Sequence, residues 1–142
     1  MTGKIAASGS ITSLKDKNGG NPDTVASGFG GMFIDCDSLT QAPKLPSTKV
    51  LSNGYACMFQ NCKSLVAAPE LPATTLGYSA YTSMFSGCTN MKTGPDKLPA
   101  TTLETWCYSN MFQDCISLTK APELPATTLQ QECYYGMFQG CT

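Results

Sequence analysis

The chain of 142 residues contains no histidine, and only 13% of its residues are charged. Without histidine, a serine or cysteine nucleophile lacks its usual base. The carboxylates that remain, among them Glu70, Glu104, Asp114 and Glu123, are scattered and form no evident pair for acid–base work. No catalytic residue is assigned, and the chain is read as a non-enzyme. Eight cysteines are present but no Cys-x-x-Cys pair, so the usual zinc spacing is missing and neither a metal nor a cofactor is expected. Nine basic residues face ten acidic ones for a net charge of −1, which argues against the clustered basic excess of a nucleic-acid binder. No apolar run approaches the ~20 residues of a bilayer-crossing helix, so membrane insertion is not expected. The opening MTGKIAASGS has neither the basic nor the apolar region of a signal peptide.

What the sequence does contain is a period. Met-Phe recurs at 32, 58, 84, 111 and 137, at intervals of 26, 26, 27 and 26 residues, and the text between the marks repeats with them. This divides the chain into an irregular segment 1–31, read as a degenerate leading repeat, and a repeat region 32–142. The units are 32–57, 58–83, 84–110 and 111–136, with a partial fifth at 137–142. SLKDKNGGNPD, inside the first segment, reads as a loop because Asn-Gly-Gly and Asn-Pro disfavour regular structure. The extra residue of the third unit is placed in a local bulge near Gly94-Pro95-Asp96-Lys97. The sequence stops within a unit, so it is read as a piece of a longer chain that self-associates through its uncovered C-terminal end.

Within a unit, Leu103, Cys107, Met111, Phe112 and Cys115 are spaced four, four, one and three apart, as are Leu129, Cys133, Met137, Phe138 and Cys141. That spacing predicts one face of a short helix. The Thr-Thr pairs at 74–75, 101–102 and 127–128 stand where a helix cap belongs. The Ala-Pro-x-Leu-Pro stretch is predicted to be extended, because each proline pushes its predecessor out of the helical region. The fold class expected is therefore an α/β repeat solenoid, a leucine-rich-repeat-like stack of one short strand and one short helix per unit. Met58, Phe59, Cys62, Met84, Phe85, Cys88, Met111, Phe112 and Cys115 are assigned to core columns, the thiols reduced and buried.

Leu-x-x-Ala-Pro-x-Leu-Pro, followed about a dozen residues later by Tyr-x-x-Met-Phe-x-x-Cys-x-Ser-Leu, resembles the BspA-like bacterial leucine-rich repeats over residues 32–142. Met replaces that family's Ala before Phe, and the unit here is a few residues longer. The resemblance implies a leucine-rich solenoid on the surface of a host-associated bacterium, within a larger extracellular chain, often in adhesion. A phage particle is the alternative setting.

Residues that vary between copies are the candidate contacts, because a fixed scaffold with changing exposed positions is how stacked repeats build binding surfaces. They are Tyr78 and Trp106 near the start of the predicted helix, with Gln131 beside them, and Lys92, Lys120 and Glu123 on the strand side. The function expected is a non-catalytic interaction or adhesion module for a protein or glycan partner. The alternative is a structural spacer within a larger surface or fibre protein. Exposure of Tyr78 and Trp106 separates the two, since an exposed aromatic pair is a natural anchor.

Overall fold

A computed structural model describes residues 5–11, 23–26 and 28–142. Five short strands occur among them: β1 (Ile5–Ala6), β2 (Thr24–Val25), β3 (Leu39–Gln41), β4 (Lys49–Val50) and β5 (Thr75–Leu76). All pair in parallel, β1 with β3 and β2 with β4 with β5. Single parallel bridges continue these ladders at Ala67↔Thr93, Thr93↔Lys120, Lys97↔Glu123 and Thr102↔Thr128. Each unit therefore lies on the next with its chain running the same way. The loop expected at 13–23 lies, but for Asp23, outside the described residues.

No α-helix is present among the described residues, which corrects the α/β reading. The stretches assigned to helices are ten-residue runs of consecutive turns, at 52–61, 78–87, 105–114 and 131–140. In the first of them the amides of Gly54, Ala56, Met58 and Gln60 donate to the carbonyls three residues back, at 3.0–3.3 Å. An α-helix would use the carbonyl four residues back. The alternate amides, of Asn53, Tyr55, Cys57, Phe59 and Asn61, leave the run altogether. They donate to Tyr78, Ala80, Thr82, Met84 and Ser86 of the following unit at 2.8–3.0 Å. Half of the backbone donors thus join one unit to the next.

Every fourth residue makes this possible by taking a left-handed conformation. Asn53, Cys57 and Asn61 have φ of 56–59°, and Ser79, Ser83 and Gly87 of 52–75°. Trp106, Asn110 and Asp114 follow at 53–57°, then Glu132, Gly136 and Gly140 at 52–75°. Gly, Asn and Asp, the residues that enter this region most readily, hold seven of these twelve positions. A left-handed residue at each fourth position ends any α-helical turn before it closes. The Thr pairs are corrected likewise: they cap nothing, and Thr75 lies in β5 while Thr102 bridges Thr128.

The inward faces fill one core. Met58, Phe59, Cys62, Met84, Phe85, Cys88, Met111, Phe112 and Cys115 are all buried. Phe33, Phe59, Phe85, Phe112 and Phe138 form a column of near-parallel rings with centroids 5.3–5.6 Å apart. Tyr55, Tyr81, Tyr108 and Tyr134 form a second at 5.7–5.9 Å. Ladder strands lie ~4.8 Å apart, so parallel rings at these separations are slipped sideways into the favoured offset stack. The thiols of Cys62, Cys88, Cys115 and Cys141 each donate to the carbonyl of the phenylalanine one unit earlier, at 3.0–3.1 Å. All eight cysteines are unbridged. The register between the third and fourth units falls from 27 residues at Thr93↔Lys120 to 26 at Lys97↔Glu123. The additional residue of the third unit is therefore taken up within Gly94–Asp96.

Candidate functional site

Tyr78 and Trp106 meet on the surface at the start of two successive turn runs. Their ring centroids are 5.7 Å apart at a 41° tilt, and they are 45% and 38% exposed. Trp106 stands at a left-handed position, φ 57°, where the equivalent residues are Asn53, Ser79 and Glu132. A bulky side chain there is strained by about 1–3 kcal/mol. Three contacts hold it in place. Its indole N–H donates to Glu132 Oε2 at 2.9 Å, its carbonyl accepts from Thr82 Oγ1 at 2.7 Å, and Tyr78 leans on its ring. Gln131 Nε2 donates to the other Glu132 oxygen at 3.3 Å. The pair is thus an oriented aromatic ledge with a carboxylate at its rim. Glu132 and Thr82 were not anticipated, although Glu132 lies one period beyond Trp106 and the repeat itself points to it.

Lys92, Lys120 and Glu123 are also exposed, on the bridge segments that follow the turn runs. Lys120 Nζ lies 3.3 Å from Asp96 Oδ1, and Glu123 Oε2 lies 3.7 Å from Lys97 Nζ. The Lys92 carbonyl accepts from Thr119 Oγ1 at 3.1 Å. Exposed pairs of this kind contribute ~0–1 kcal/mol, and two of the three candidates are already answered by neighbours within the chain. No hydrogen bond or ring contact among the described residues joins this group to Tyr78 and Trp106.

A groove of about 450 Å3 opens between the proline-bearing strips of the first two units, lined by Pro43, Lys44, Pro46, Ala67, Pro69 and Glu70 among others. It is mostly apolar. Prolines, which have no amide to give to a ladder, stand on both of its sides.

The thiols offer little as nucleophiles. Burial pushes Cys62, Cys107 and Cys115 up to about 12, with neighbouring thiols of the same columns adding to the effect. They stay protonated near neutrality, where thiolate character is what reactivity needs. Among the described residues, no three acidic or cysteine side chains gather as a metal site, and no helix is long and apolar enough to cross a membrane. No family model, curated protein or solved structure compared with this chain matches it.

Proposed function

We propose that this chain is a non-catalytic interaction module whose partner, a protein or a glycan, is gripped at the Tyr78–Trp106 ledge. The observation that carries this reading is Trp106 itself. It sits in a backbone conformation that suits asparagine, contributes little to the core, and is nonetheless fixed by Tyr78, Glu132 and Thr82. Strain retained at an exposed aromatic is explained by use of its free face. A uniformly polar exterior would have favoured the spacer reading; an aromatic pair held open to solvent favours contact. Placement at a cell surface, or alternatively on a phage particle, rests on the BspA-like resemblance alone.

The test is Trp106→Asn, which substitutes the residue found at the equivalent position 53. Its melting temperature is expected to hold or rise, because asparagine accepts the left-handed conformation. Binding to a glycan array or to captured surface proteins is expected to fall at least about tenfold, the size of a modest anchor loss. As a reference for the core, Phe112→Ala is expected to cost about 3–5 kcal/mol. If Trp106→Asn unfolds the protein as Phe112→Ala does, the indole is a structural residue and the ledge is not the site.

A further inference from the structure

The nitrogen donors at the rim of the ledge are turned toward one carboxylate. Trp106 Nε1–H, the only polar hydrogen of the indole ring, goes to Glu132 Oε2, and Gln131 Nε2 goes to the other oxygen of the same group. What Glu132 keeps open to an occupant is the remaining acceptor capacity of those two oxygens. The charge around the ledge has one sign. Glu104, two residues before Trp106, is exposed, and neither lysine nor arginine falls in 76–80, 102–108 or 130–134. The ion pairs among the described residues are Lys63–Asp37, Lys97–Glu123 and Lys120–Asp96, and neither Glu104 nor Glu132 takes part in them.

The two rings are also set differently from those of the core. Neighbours within the phenylalanine and tyrosine columns lie within 21° of parallel. Tyr78 and Trp106 meet at 41°, and both are exposed. A splayed, exposed pair presents ring faces to solvent, and the face is the negative side of the aromatic quadrupole. Ring faces and carboxylates therefore favour the same kind of occupant. The arrangement lies within the stack, since the units 58–83 and 84–110 that carry Tyr78 and Trp106 each have a described unit on either side.

We propose that the ledge takes a cation, an arginine side chain of a protein partner, with the guanidinium plane laid against Trp106 and its donor edge turned to Glu132. This deepens the reading of the ledge as the contact site and rests on it. A guanidinium is planar and carries five donors and no acceptor, so one group both stacks on a ring and bonds to a carboxylate. Among aromatic side chains, tryptophan holds cations most strongly. A lysine ammonium supplies the charge without the plane. A neutral sugar can lie on the rings but leaves the carboxylate charge unanswered.

Trp106 is the only tryptophan in the chain, so its emission reports on the ledge directly. The probes are N-acetyl-arginine amide, its uncharged counterpart N-acetyl-citrulline amide, N-acetyl-lysine amide with a free side chain, and a methyl glycoside, each titrated at constant ionic strength. The arginine compound is expected to change the emission saturably, and to do so at least about threefold more tightly than the citrulline compound, the size of an exposed cation–ring contact. The lysine compound is expected to fall between them. Glu132→Gln keeps an oxygen for the indole N–H and removes the charge; it is expected to fold as before and to lose the preference for arginine over citrulline. Equal binding of arginine and citrulline, or a preference that survives Glu132→Gln, would overturn the proposal. A saturable response to the glycoside and none to arginine would also overturn it, while leaving the ledge as the contact site. No response of Trp106 to any probe would count against the ledge itself.

Discussion

At the scale of single residues, the conformation of every fourth position governs what the chain can become. Gly87 has φ +75°, and a Cβ built there runs into the side-chain oxygen of Asn61 in the preceding unit. Gly94 lies outside the left-handed region, and a Cβ there meets the Phe112 ring at 3.6 Å and Leu118 Cδ1 at 3.9 Å, both ordinary contacts. Gly87→Ala is therefore expected to lose about 1–3 kcal/mol through strain and crowding. Gly94→Ala is expected to be neutral or to gain up to about 1 kcal/mol by restricting the unfolded chain. Urea unfolding of the two variants checks this, and equal losses would mean that backbone conformation does not set the difference. This is also where the sequence was hardest to read. A four-residue turn period and an α-helix both bring apolar residues back at spacings of three and four, so Tyr55, Met58, Phe59 and Cys62 satisfy either. The distinguishing marks were Asn53 and Asn61, Asn110 and Asp114, and Gly136 and Gly140, at four- or eight-residue spacing in three of the four runs. They read as ordinary polar and small residues when the apolar stripe is followed alone.

At the scale of the element, a turn run is held less by its own hydrogen bonds than by the neighbours on which it lies. Its three-back bonds alternate with bonds to the next unit, and its inward side chains continue columns that start elsewhere. The cysteine column gives this burial a measurable consequence. An unfolded thiol ionises near pH ~8.5, whereas Cys62, Cys107 and Cys115 are raised to about 12 in the folded chain. Between those values the unfolded chain releases protons that the folded one retains, so stability falls as pH rises. Below pH ~8.5 the thiols contribute no slope. Each is expected to cost about 1.4 kcal/mol per pH unit across that window. Urea midpoints measured at successive alkaline pH values should decline steeply, and less steeply in Cys115→Ala. A flat profile would show that the thiols reach solvent.

At the scale of the whole molecule, the repeat governs both the stack and the candidate site. The period was legible in the Met-Phe marks, because a residue committed to a core column must return each time the chain passes that column. Trp106 and Tyr78 were legible as variable aromatics, but their meeting was not, since they occupy non-equivalent positions, 78 and 106, in successive units. The groove at Pro43 and Pro69 and the restraint by Glu132 required knowing how far each unit is displaced from the next. The central claim is that the chain stacks through alternate amides of helix-free turn runs. Scalar couplings across hydrogen bonds, read by nuclear magnetic resonance from the Phe59 amide, test it most directly. The account predicts a coupling to the Met84 carbonyl, 25 residues ahead, from the 2.9 Å bond between them. A coupling from the Phe59 amide to the carbonyl of Tyr55 would instead show an α-helix and contradict it.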